Sequence, residues 1–277
     1  MTAFAIRLRE RIDAHSPLCV GIDPSTQLLK SCGLPDTAEG ALDFGRRVLE
    51  AAEFQLSIIK PQSAFFERFG SAGFRAMEEL AAFAREKGVM VLLDGKRGDI
   101  DSTATAYALS YFSDTTPLRV DAVTTHPYLG LGALKPFIDI AVEHGGGVFV
   151  VVRSSNPEGQ ALQTARLANG ETVARHIGAE ITALNRKLGS DIGPIGAVVG
   201  ATCDDAADIV DTLPASFILA PGVGAQGATM ADIARRMPEA RGRVLPNVSR
   251  AIIANGASVS DMRTTIRALK EQARALL

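Results

Sequence analysis

The chain has 277 residues, 47% hydrophobic and 22% charged, with a net charge of -2 and a sequence pI of about 6.1. That composition supplies a full core and gives no global attraction to nucleic acid or an anionic membrane. No apolar run approaches the ~18 residues of a membrane span, and the mixed-charge start MTAFAIRLRERIDAH lacks the apolar stretch of a secretion signal.

Eight short apolar, β-branched runs follow in chain order, each bounded by Gly, Pro or Asp. They are PLCVGID (17–23), LSIIKPQ (56–62), VMVLLDGK (89–96), DAVTTHP (121–127), GVFVVVRSS (147–155), IGAVVGAT (195–202), SFILAPGV (216–223) and RVLPNVSR (243–250). Between them lie Ala-, Leu-, Arg- and Glu-rich stretches with helical periodicity. In SAGFRAMEELAAFAREKG, Phe74, Met77, Leu80, Ala81 and Ala84 form a stripe that predicts one buried helix face. The segment 156–190 exceeds its neighbours in length and predicts an extra loop before its helix. Eight alternations of buried strand and helix predict a single-domain (β/α)8 TIM barrel over 1–277. A doubly wound open sheet is the second reading, but DPSTQLLKSCG after the first strand has no G-x-G-x-x-G turn.

The three cysteines, Cys19, Cys32 and Cys203, form no C-x-x-C pair, so neither a disulfide framework nor a zinc site is expected. A reducing cytoplasm is the simplest setting. Cys19 and Cys203 read as packing residues. His15, His126, His144 and His176 show no metal-ligand spacing.

The strand ends carry the chemistry. Asp23, Lys60, Asp94 with Lys96, His126, Ser154 with Ser155 and Asn156, Thr202, PGVGAQG, and Ser249 with Arg250 end the successive runs. In a barrel these groups converge on the C-terminal face, where barrel active sites lie. Asp94 and Lys96 share a strand parity and face the same way, and Lys60 ends the adjacent strand. A buried lysine between carboxylates keeps its proton, which casts Lys96 as a general acid rather than a Schiff-base nucleophile. The plainer reading of Asp94–Lys96 is a structural ion pair, but buried pairs are poor devices for stability alone. Arg97 has the opposite parity and is expected to point away. Asp99 and Asp101 sit where the next helix begins and read first as N-capping groups.

The loops after the last two strands predict a phosphate site. Gly222, Gly224 and Gly227 allow backbone N–H groups to approach an anion, and Arg250 offers a bidentate contact. VRSSNPEG suits hydrogen bonding to a planar polar ligand, or a plain turn. His126, before Pro127, reads as a turn or supporting residue.

LLDGKRGDI, with GIDP, IIKPQ, VRSSNPEG, PGVGAQG and NVSRAI in that order, resembles the orotidine 5′-phosphate decarboxylase family in its longer bacterial, type 2 branch, over about residues 17–255. The resemblance implies cofactor-free decarboxylation of orotidine 5′-phosphate to UMP and CO2 in pyrimidine biosynthesis. It implies an alternating network of Lys60, Asp94, Lys96 and Asp99, with Lys96 as proton donor to C6. Asp99 and Thr103 would act across a homodimer interface in the partner's site. Asp23 would contact a ribose hydroxyl, Ser155 would read the pyrimidine edge, and Gln226 and Arg250 would grip the phosphate. Segments after Ser155 and around Gln226 would close over base and phosphate. Residues 227–232, GATMAD, depart from the pattern of some relatives.

Two rivals remain at this point. One is a metal-dependent sugar-phosphate decarboxylase or aldolase barrel, which needs an acidic metal ligand at the end of the second strand. That place holds Lys60, with Glu67 seven residues on. The other is a non-catalytic nucleotide-binding barrel, which would be expected to have lost part of the charge set.

Overall fold

The computed structural model describes residues 3–189, 191–224 and 226–277. Among them, eight strands close into one barrel: β1 (Cys19–Ile22), β2 (Ile58–Pro61), β3 (Met90–Arg97), β4 (Ala122–Thr125), β5 (Gly147–Arg153), β6 (Ile195–Val199), β7 (Ile218–Pro221) and β8 (Val244–Val248). Every pairing is parallel, and β8 returns to β1 through Cys19↔Asn247 and Val20↔Val248. All eight apolar runs became strands, and the expected TIM barrel is the fold. No helix among the described residues is long and apolar enough to cross a membrane.

Strand parity divides the core in two. Val20, Ile22, Ile59, Val91, Leu93 and Val123 face outward and pack with the surrounding helices in one cluster. Cys19, Ile58, Met90, Leu92, Ala122, Phe149, Val198, Leu219 and Leu245 face inward in a second, smaller one. The parallel strands are thus apolar on both faces along their N-terminal halves, as a covered sheet requires.

The inner cluster has a floor. The helix Ala3–Ala14 buries Phe4, Ala5, Leu8 and Ile12 and packs them against the inward-facing strand residues. Phe4 meets Phe149 edge to face, with ring centroids 6.2 Å apart. Gly147 makes the fit, because a Cβ there would stand 2.6 Å from the Phe4 ring. Burying each of Phe4, Leu8 and Ile12 contributes about 1.5–3 kcal/mol. The amphipathic start, informative in sequence only for what it excluded, closes the barrel end opposite the strand C-termini.

The helix Gly70–Glu86 buries Met77, Leu80, Ala81 and Ala84 as expected. Phe74 departs from the predicted stripe and stands on the exposed side. After β5, a 3-10 turn at Pro157–Gly159, a short helix at Gln160–Gln163 and an antiparallel bridge Arg166↔Thr172 precede the helix Val173–Lys187. That is the extra loop expected in 156–190. Thr172 ends it by accepting the Arg175 N–H as an N-cap.

Candidate active site

The C-terminal end of the barrel opens into a cavity of about 290 Å³. Val151, Val198 and Leu219 give it apolar wall. Asp23, Lys60, Asp94 and Lys96 lie on one side, Ser154, Ser155 and Asn156 follow β5, and Gln226, Ser249 and Arg250 come from the last two loops. The cavity therefore collects seven of the nine residues to which the family resemblance gives roles: Asp23, Lys60, Asp94, Lys96, Ser155, Gln226 and Arg250.

Asp94 is the hub. Its Oδ1 accepts from Lys96 Nζ at 2.6 Å and from Thr124 Oγ1 at 2.8 Å. Its Oδ2 accepts from Lys60 Nζ at 3.0 Å. The Gln62 amide, with its nitrogen turned to Asp94, donates to Oδ2 at 3.0 Å and to the main-chain carbonyl at 2.6 Å. Lys60 Nζ also stands 3.8 Å from Asp23 Oδ1, an oxygen that is buried without a hydrogen bond. That oxygen is a ready acceptor for a ligand hydroxyl.

Burial alone would raise the Asp94 pKa, but the two ammonium groups and their hydrogen bonds outweigh it and hold the carboxyl well below the usual range. Burial likewise opposes charge on Lys60, yet Asp94 and Asp23 more than offset it and raise its pKa. Asp94 thus binds its proton more weakly folded than unfolded. Its contribution to stability is complete above the ordinary carboxylate range near about 4 and is lost as pH falls toward its own lower pKa. The melting temperature of the wild type is expected to fall below about pH 4, and Asp94→Asn should flatten that acid limb in calorimetric scans. An unchanged limb would show that Asp94 carries no such coupling.

Lys96 is not the buried lysine that the sequence predicted. Lys60 is the sequestered one, with a side chain 6% exposed, whereas the Lys96 side chain is 51% exposed and reaches into the open cavity. The cause is local backbone. The register between β3 and β4 shifts between Leu93 and Arg97, and Lys96 adopts a left-handed φ of 44°. That conformation costs a non-glycine residue on the order of 1–3 kcal/mol and persists only where its surroundings impose it.

Arg97 points away from the cavity, as its parity predicted. Its guanidinium meets the Glu67 carboxylate, and its Nε donates to the Tyr111 hydroxyl at 2.8 Å. Glu67 is therefore engaged outside the cavity, unlike the acidic ligand that the metal-dependent rival needs. Asp101 does begin the helix Asp101–Phe112, but the cap position is Ile100 and no side chain caps it.

Three expected site residues stand apart from the cavity lining. Gly224 has a φ of 75° and donates its N–H to the Ala228 carbonyl at 2.9 Å, so it shapes the loop from within. Asp99 accepts from its own neighbour, the Ile100 N–H, at 2.8 Å. Thr103 is exposed on the following helix. Thr202 lines an adjoining groove with Arg153 and Asp205. Cys19 and Cys203 are buried, as packing residues should be, and burial pushes the Cys19 thiol up to about 12.

Sequence reasoning missed Gln62, Thr124 and Asn247, all of which line the cavity. Each shares its strand parity with an inward-facing neighbour: Gln62 with Lys60, Thr124 with Ala122, and Asn247 with Leu245. Parity counting past the charged residues would have found them.

The family model described as orotidine 5′-phosphate decarboxylase / HUMPS family matches residues 16–265. The chain belongs to this family. Among curated relatives, the orotidine 5′-phosphate decarboxylase of Salinispora arenicola is 45% identical over 277 residues, covering 100% of this chain and 99% of the relative. That of Myxococcus xanthus is 42% identical over 274 residues, covering 98% and 95%. A Streptomyces avermitilis crystal structure superimposes with a TM-score of 0.94 at 43% identity, covering 100% of this chain and 96% of that one. The Leishmania donovani OMP decarboxylase gives 0.81 at 32% identity, covering 100% and 99%. In this orotidine 5′-phosphate decarboxylase / HUMPS family chain, Asp94, Lys96 and Asp99 lie within the matched residues.

Proposed function

We propose that this protein decarboxylates orotidine 5′-phosphate to UMP and CO2 in pyrimidine biosynthesis, without metal or organic cofactor. The observation that carries the reading is the Lys60–Asp94–Lys96 chain at the cavity wall, with the Lys96 ammonium held 2.6 Å from Asp94 and open to a ligand. Relatives that share up to full-length similarity bear the name of this activity.

Loss of CO2 from C6 leaves a carbanion that the pyrimidine ring stabilises poorly. The protein must supply the stabilisation electrostatically, from charges fixed before the reaction. The Lys96 ammonium faces the developing charge and then delivers its proton to C6 as a general acid. Asp94 lies beside the departing carboxylate, and repulsion is relieved as CO2 leaves. Lys60 neutralises the far oxygen of Asp94 and keeps the carboxylate aimed. Arg250 and Gln226 hold the phosphate, Ser155 meets the pyrimidine edge, and Asp23 takes a ribose hydroxyl. Binding energy from the remote phosphate drives closure of the loop around Gln226 and excludes water. Gly224 supports that loop by its left-handed turn.

Asp99 supplies the fourth charge in a partner's site, with Thr103 beside it near the ribose. Its position supports this assignment, since among the described residues its side chain bonds only to the neighbouring Ile100 N–H and it stands outside its own cavity lining. Ile100 after β3 and Tyr128 after β4, 51% and 75% exposed, bring apolar surface to two neighbouring strand ends near it, which suits an interface between two copies.

The experiment is spectrophotometric loss of orotidine 5′-phosphate by the purified protein, with and without EDTA. Turnover that survives EDTA is the expected result. No turnover with retained UMP binding would favour the non-catalytic barrel, and loss with EDTA would favour the metal-dependent one.

A further inference from the structure

Thr124 belongs to β4, is 1% exposed, and touches both partners of the Asp94–Lys96 pair. Its hydroxyl donates to Asp94 Oδ1 at 2.8 Å and accepts the Lys96 backbone N–H at 3.0 Å. A hydroxyl has one proton to give, so the two bonds fix its orientation completely. The Lys96 backbone is left-handed, and the register shift leaves its N–H outside the regular ladder. The Thr124 oxygen takes the place of the ladder acceptor. One side chain thus sets where the carboxylate points and where the lysine leaves the strand. The adjoining Thr125 makes a contrast, since its hydroxyl oxygen is buried with no partner.

We propose that Thr124 is a positioning residue for the decarboxylation, one that registers the Lys96 ammonium against the reacting carbon by clamping its backbone to Asp94. The inference rests on the functional reading above. A valine at this position keeps the β-branched shape but leaves the Lys96 N–H and one Asp94 lone pair unsatisfied. Lys96 then loses its fixed departure point, while Arg250, Gln226 and Ser155 still hold the substrate.

Thr124→Val is expected to lower kcat about 100-fold, the scale of a misplacement near 1 Å, and to leave KM close to the wild-type value. Thr124→Ser restores the hydroxyl and should recover most of kcat. Normal kcat in Thr124→Val, a loss confined to KM, or a serine variant as slow as the valine would each overturn the proposal. Should Thr124→Val fail to fold by circular dichroism, Thr124→Cys, whose thiol is a weak donor, takes its place against Thr124→Ser with the same expectations. A wild type that does not turn over orotidine 5′-phosphate overturns the parent reading, whereas an active wild type with a normal valine variant overturns only this one.

Discussion

Lys96→Ala is expected to reduce turnover of orotidine 5′-phosphate by roughly 10⁴-fold or more, while UMP still binds. Two effects vanish together. The fixed positive charge beside C6 is lost, a term of about 10²–10³ for a single preorganised group, and the proton donor is lost, a term of about 10²–10⁴. The groups that hold phosphate, ribose and base are untouched, so the variant should titrate with UMP by calorimetry near wild-type affinity. Lys96→Arg keeps the charge but holds its proton too tightly to donate, and it should recover little. Normal turnover in Lys96→Ala would remove the lysine from the chemistry and with it the mechanism.

A second large effect tests whose site Asp99 serves. Lys96→Ala and Asp99→Ala homodimers should each be nearly inactive. When the two chains are co-expressed and pair at random, half of the dimers are mixed. If Asp99 acts across the interface, one site of each mixed dimer receives both defects and the other receives neither. About a quarter of wild-type activity per site then returns. If Asp99 acts within its own chain, every site carries a defect and nothing returns. Recovery therefore separates the two arrangements, and its absence, with both chains folded and dimeric, would end the shared-site proposal.

The barrel was legible because each strand carries its own punctuation. Apolar β-branched runs end in a polar group at seven of the eight strands and in the glycine-rich PGVGAQG at the other, and a closed parallel barrel gathers all of those ends on one face. Asp23, Lys60, Asp94 and Lys96 were legible for the same reason: charge at the end of an apolar run stands out. Thr124 was not, because a threonine in VTTHP is also an ordinary strand former. The exposure of Lys96 was hidden as well. It follows from a register shift and a left-handed backbone that no residue type at 96 announces. Phe74 shows the limit of helical periodicity, since an apolar residue in phase with the stripe can still lie at its edge. Asp99 could not be settled from one chain by either route, because its expected partner lies on another.

The floor of the barrel has a consequence for the order of events during synthesis. The helix Ala3–Ala14 leaves the ribosome before every strand whose inner face it covers, and those strands extend to Leu245 of β8. Arg9 is fastened to the Gly242 carbonyl, 233 residues downstream. Its apolar face therefore has no complete surface to dock on until almost the whole chain has been made. Contacts of such long sequence separation slow folding and leave apolar surface waiting. The seam between β1 and β8, secured by only two registered pairs, closes in the same late step. Completion of the far wall thus also completes the floor's seat, and a nascent chain halted short of β8 lacks part of the surface that its first helix covers.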